Sequence, residues 1–385
     1  VFSVILSVLN SELLRVLKNI IPMKKAVKST ITLASILMLL AFSCKTNNEK
    51  SVTTNEQSSP KSIYLVKFTD PSNGTLYKLG EEVKLTLKLQ DVKIVPDSVV
   101  IFCNSNKVGK LVGLNYTLRT SDLSLGTQVI RATAYKDGLY QTASISIKLK
   151  SNIKPKQYTY RVVKTYPHDP DAYTQGLFYK DGFLYEGTGQ KGSSSIRKVE
   201  LETGKVLQSI NLESKHFGEG IALFNDKIYQ LTWTSQIGFV YDISTFKQVS
   251  SFSYPTQGWG LTNNDKELIM SDGSNIIHFM EPANFAELHR IEVFDDNDMV
   301  DSLNELELIN GDIFANIYTT DRMAIISPVT GIVKGIIDFK GLLKDSDRKG
   351  KVDYLNGVAW DEAGKRLFVT GKLWPKLYQV EIIEK

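Results

Sequence analysis

The chain has 385 residues, 42% of them hydrophobic and 23% charged, enough for two domains that each bury a core. Its formal charge is +4, but residues 1–43 carry five basic side chains and one acid, so the remainder holds equal numbers of both signs. A balanced chain has no electrostatic footprint for nucleic acid, and that class is excluded.

In chain order, residues 1–22 show no targeting logic and read as a start-site artefact. Met23 then opens a positive stretch, Lys24, Lys25 and Lys28, ahead of an apolar run over residues 31–42. The run is too short to span a bilayer comfortably, and the pattern predicts a bacterial signal peptide over 23–43. Its end, Leu40-Ala-Phe-Ser43-Cys44, resembles a lipoprotein signal, although Ala41 stands where leucine is usual. The expectation is export and lipidation at Cys44. The protein would then be anchored in the cell envelope, facing periplasm or cell surface, and would touch the membrane through its lipid alone. The other cysteine, Cys103, then has no partner and reads as a small buried side chain.

Residues 44–61 comprise this cysteine and a polar stretch that cannot fold alone, and they read as a tether. Over 62–150 short alternating strands follow: Val83, Leu85, Leu87 and Leu89 share one face, as do Ile145, Ile147 and Leu149. Asn73-Gly74 and Asp137-Gly138 supply turns. The run from Gly126 to Ala132 is similar to the last hairpin of bacterial immunoglobulin-like modules, which predicts an immunoglobulin-like β-sandwich. Residues 151–157 read as a linker.

From residue 158 a repeat governs the fold. The phrases Tyr173-Thr-Gln-Gly176-Leu, Phe217-Gly-Glu-Gly220-Ile, Gln257-Gly-Trp-Gly260-Leu, Leu303-Asn-Glu-Leu-Glu307 and Leu355-Asn-Gly357-Val recur at intervals of about 40 to 52 residues, each followed by a turn and further strands. Such a period predicts propeller blades, and five units fit before residue 383. An early strand near 158–165 is placed to complete the last unit. The fold expectation is all-β: a five-bladed β-propeller over 158–385, behind the sandwich. Gln175, Glu219, Trp259 and Asn304, at the start of successive innermost strands, should converge on one mouth of the central channel.

Residues 158–383 closely resemble the plant-type glutaminyl cyclotransferases. The resemblance rests on Pro167-His-Asp-Pro170, Ala172-Tyr-Thr-Gln-Gly176, Phe217-Gly-Glu-Gly220, Gly258-Trp-Gly260, Leu303-Asn-Glu-Leu-Glu307 and Phe368-Val-Thr-Gly-Lys-Leu-Trp-Pro-Lys376, all in order. It implies conversion of N-terminal glutamine to pyroglutamate with release of ammonia. It also implies Glu219 as catalytic acid/base, with Tyr173, Gln175, Trp233, Trp259, Asn304 and Lys372 around the substrate. Tyr318 stands where the family usually has tryptophan, which keeps an aromatic wall but shrinks it. Peptides or proteins with N-terminal glutamine are the expected partners, of a monomer.

The residue types suit that chemistry. The α-amine of an N-terminal glutamine can reach its own side-chain carboxamide, so the enzyme mainly has to hold the folded-back conformer. One carboxyl group can then move a proton from the attacking amine to the departing ammonia. His168, His216, His278 and His289 make no metal-ligand spacing, and no cofactor is expected. A propeller channel can nevertheless hold a structural cation, on which sequence is silent. His168 reads as satisfying loop backbone, and the run Asp295-Asp-Asn-Asp298 as a solvated loop. Two rivals are a non-catalytic propeller that binds peptide or sugar, and a metal-dependent propeller hydrolase. The presence of Glu219 counts against the first.

Overall fold

Alternating apolar and polar side chains build two facing sheets from the first part of the chain. The computed structural model describes residues 65–111, 113–348 and 350–385; the expected signal peptide at 23–43, the expected lipidation at Cys44 and the stretch 44–61 read as a tether lie outside them. Strands Val66–Asp70, Glu82–Leu89 and Asn115–Arg119 form one antiparallel sheet. Thr75–Lys78, Leu139–Lys150, Gly126–Lys136, Ser98–Cys103 and Asn106–Lys110 form the other, in that spatial order. Val83, Leu85 and Leu87 from the first sheet meet Ile101, Cys103, Ile130, Ile147 and Leu149 from the second in a single buried cluster. Burial raises the Cys103 thiol pKa, which disfavours the reactive thiolate.

The remaining strands form four-stranded antiparallel units arranged around a central axis. The first runs through Thr174–Lys180, Phe183–Thr188, Ser195–Glu200 and Val206–Asn211; the second through Gly218–Phe224, Lys227–Thr232, Ile237–Asp242 and Gln248–Ser253. The third runs through Leu261–Asn263, Leu268–Ser271, Ile276–Met280 and Glu287–Glu292. In the first two units burial falls from the first strand, nearly all enclosed, to the fourth, mostly exposed. The last two units, Leu303–Ile309 to Val333–Asp338 and Leu355–Asp361 to Lys376–Glu384, merge into one eight-stranded sheet.

The strand that merges them is Lys156–Pro167. It pairs antiparallel with Lys376–Glu384 and parallel with Gly335, Ile336 and Ile337. Its length corrects the linker reading: the strand begins at Lys156, and Ser151 is fully buried, its N–H donating to the Asp295 carbonyl. Nor is Asp295-Asp-Asn-Asp298 merely a solvated loop, because Lys150 Nζ also donates to the Asn297 carbonyl. Nearby, the Thr127 N–H and hydroxyl donate to the Glu292 carboxylate, at 2.8 and 3.2 Å. The sandwich therefore docks on the strand Glu287–Glu292 and the loop after it.

The repeated phrases mark where neighbouring first strands touch. A Cβ on Gly220 would lie 2.6 Å from the Trp259 carbonyl oxygen, and one on Gly260 would lie 2.0 Å from the Asn304 carbonyl oxygen. Contacts that short are forbidden, so at these two joints the ring closes only because the position lacks a side chain. Gly176 and Gly357 hold the equivalent position in two further repeats; the fourth has Glu305, whose side chain bridges first strands. Its carboxylate accepts the Leu177 and Val358 N–H groups at 3.1 and 2.7 Å. Gly260→Ala is expected to cost about 2–3 kcal/mol or more of unfolding free energy in a denaturant titration, as overpacking against backbone does. A loss below about 0.5 kcal/mol would contradict this account of ring closure.

Candidate active site

In each hairpin the start of the first strand and the end of the second reach the same end of the ring, so residues from both positions meet there. Gln175, Glu219, Trp259 and Asn304 each directly precede the close-approach position. Tyr173 and Phe217 lie three residues before it. Trp233, Tyr318 and Lys372 directly follow second strands, and their N–H groups donate to the carbonyls of Phe217, Ser302 and Tyr354. These nine side chains line one cavity of about 180 Å³. The structure thus brings together all eight site residues named from sequence, and adds Phe217. Phe217 was readable from the repeat, where it occupies the position that Tyr173 holds one unit earlier.

The rings form a collar in two arcs. Tyr173 packs edge-on to Phe217 at 6.0 Å, and Phe217 to Trp233 at 5.8 Å. Trp259 packs edge-on to Tyr318 at 5.5 Å. Lys372 closes one gap between the arcs, its Nζ lying 5.1 Å from the Tyr173 ring centre and 4.6 Å from that of Tyr318. Gln257 closes the other: its Oε1 accepts the Trp233 and Trp259 indole N–H groups at 2.6 and 3.0 Å. The Tyr173 hydroxyl donates to Asp353 Oδ2 at 3.0 Å, fixing that ring from outside the cavity.

Glu219 sits inside the collar, only 4% exposed. Burial pushes its carboxyl well above the ordinary range, and the Lys372 charge opposes this without reversing it. Burial likewise brings Lys372 down to about 8, against the pull of Glu219 and Asp353. Asn304 is enclosed, and its Oδ1 has no hydrogen-bond partner among the described residues. Gln175 Oε1 accepts from Asn356 Nδ2 at 3.2 Å. The site therefore combines a buried acid of raised pKa, a lysine whose pKa is lowered to about 8, a free amide oxygen and aromatic walls.

Two carboxyls below the mouth, Glu305 enclosed and Glu307 partly buried, carried no role in the sequence reading. Glu305 is pushed up by burial and by Glu307, and burial raises Glu307 to about 8. The signal for Glu305 was its place where other repeats have glycine. His168 does satisfy backbone, with Nδ1 2.6 Å from the Trp374 carbonyl, but its Nε2 also pairs with Glu186 at 3.0 Å. Among the described residues, no group of three or more His, Cys, Asp or Glu side chains could hold a metal ion.

The family model for glutamine cyclotransferase matches residues 138–382. A glutaminyl-peptide cyclotransferase from Arabidopsis thaliana is 43% identical over 227 residues, which is 57% of this chain and 70% of the relative. The crystal structure of Myxococcus xanthus glutaminyl cyclase matches with a TM-score of 0.57 and 32% identity, covering 60% of this chain and all of that one.

A carboxyl whose folded pKa exceeds its unfolded value contributes its stability fully below the unfolded value of about 4.3, and loses it as pH rises through the folded one. Glu219→Gln keeps a neutral group of nearly the same shape at every pH. Its Tm minus that of the native protein should therefore rise between pH 5 and pH 9 in parallel thermal melts. A constant or shrinking difference would show that Glu219 is not held neutral.

Proposed function

This chain belongs to the glutamine cyclotransferase family and acts as a glutaminyl-peptide cyclotransferase, and on that premise we propose that Glu219 is its general acid/base, at the channel mouth of a five-bladed β-propeller. The units that support this reading of the fold are the four-stranded sheets whose first strands contact one another in sequence around the axis. The two-sheet module before them is read as immunoglobulin-like.

The reaction is an internal acyl transfer. The α-amine attacks the side-chain carboxamide carbon and forms the ring C–N bond; the C–NH₂ bond breaks and ammonia leaves. Both reacting groups belong to one residue, so much of the barrier falls once the folded-back conformer is held. The aromatic collar is suited to holding it. An α-amino group with a reference pKa of about 8 has a usable neutral fraction near pH 7.

A neutral Glu219 can complete the proton balance in one group. One carboxyl oxygen accepts the proton that the attacking amine gives up while the other donates a proton to the departing nitrogen, and Glu219 ends as it began. Lys372 is suited to donate to the carboxamide oxygen as it gains negative charge. Asn304 Oδ1 is free to accept an N–H of the substrate. No step requires a metal or cofactor. The observation that carries the assignment is the near-complete burial of Glu219 beside Lys372 inside an aromatic cavity.

The test is ammonia release from a glutamine-initiated peptide, with thermal unfolding measured in parallel. General acid/base groups contribute about 10²- to 10⁴-fold, so Glu219→Gln is expected to lower kcat at least about 100-fold with a smaller change in KM. Near-native turnover by a folded Glu219→Gln protein would refute the assignment. Exhaustive chelation is expected to leave native turnover intact; loss of turnover restored by added metal would favour the metal-dependent hydrolase class.

A further inference from the structure

We propose that Gln257 is a positioning residue for substrate binding, its one side-chain oxygen fixing both indole walls of the pocket. The proposal rests on the reading of Trp233 and Trp259 as substrate walls. An indole N–H can only donate, so a carboxamide lying between two of them must turn its oxygen inward. Both donors reach that oxygen, at 2.6 Å from Trp233 and 3.0 Å from Trp259.

Each ring has few partners besides the shared acceptor. Trp233 is 40% exposed and has Phe217 against it. Trp259 lies between Tyr318 and the turn at Gly273, where the missing side chain lets the indole approach: a Cβ there would lie 2.4 Å from the ring. The two tryptophans also come from different units of the ring, Trp233 after the second strand of one and Trp259 before the first strand of the next. Gln257 therefore fixes the spacing across a joint between sheets.

The repeat shows what is unusual about this position. Three residues before the close-approach position, the first, second and fifth repeats carry rings, Tyr173, Phe217 and Tyr354. The third carries Gln257, which supplies no ring and instead gathers two from its neighbours. The width of the slot for the folded-back glutamine follows from that gathering. Walls that touch the substrate in both ground and transition states act mainly through KM.

The test compares Gln257→Met, similar in shape but without the acceptor, with Gln257→Glu, which keeps an acceptor for both indoles. Because Gln257 lies on an exposed rim, both variants should fold, and Tm is measured to check it. On a glutamine-initiated peptide, Gln257→Met is expected to raise KM about three- to ten-fold, the effect of one lost hydrogen bond, with kcat within about two-fold. Its tryptophan fluorescence should shift. Gln257→Glu should keep KM no more than about two-fold above native and retain the native emission. An unchanged KM in Gln257→Met, or equal KM values in the two variants, overturns the proposal. Trp233→Phe and Trp259→Phe run alongside separate the two layers: if these raise KM and Gln257→Met does not, Gln257 alone is misassigned. If neither raises KM, the wall reading has failed and the proposal falls with it.

Discussion

First strands of adjacent units touch where no methyl group fits, and the arrangement of the channel mouth follows from that contact. With Gly176, Gly220 and Gly260 against the backbone of the next unit, the residue before each is brought to the axis. Gln175, Glu219, Trp259 and Asn304 are thereby set around one small volume without any loop having to close over them. A site built on strand ends of a packed ring is held more firmly than one on mobile connections. The exception at Glu305 serves the same closure, because its carboxylate ties the first strands of three units together through two backbone N–H groups.

Closure also sets the electrostatics. The packed ring buries the mouth, and that burial raises the Glu219 carboxyl well above the ordinary range and weakens the hold of Lys372 on its proton. Each opposes the other's shift without cancelling it, so the carboxyl stays raised and the ammonium stays lowered, to about 8. The strand Lys156–Pro167 binds the last two units into one sheet and so links the stability of the ring to the segment leaving the sandwich. The sandwich also docks on the ring: its Thr127 and Lys150 bond to the third unit and the loop after it.

Much of this was legible in the sequence because the repeat carries its own geometry. Recurring Gly-x-Gly and Gln-Gly phrases gave the period, the axis and four mouth residues without reference to any relative. Trp233, Tyr318 and Lys372 came only from family resemblance, because the hairpin pairing that sets them beside the first strands' starts picks them out only once the end of each second strand is known. Phe217 and Gln257 stood within quoted phrases but were passed over, because their roles depend on ring-to-ring distances and on a shared acceptor. Glu305 and Glu307 were missed for another reason. Burial decides their chemistry, and an LNELE run alternates equally well on an exposed strand. The ordered, buried Ser151 was hidden by its polar neighbours, which look like a linker until the docking surface at Asp295 is known.

Ring closure buries Glu219 inside the aromatic collar and raises its carboxyl above the ordinary range. The most direct measurement is the infrared difference spectrum between the native protein and Glu219→Gln, followed as a function of pH in ²H₂O. This account predicts a carboxylic acid C=O band that belongs to Glu219, is absent from the variant, and is lost only well above the ordinary carboxylate range near pH 4.5. A Glu219 band that disappears by about pH 5, as a solvated carboxyl's does, would contradict it.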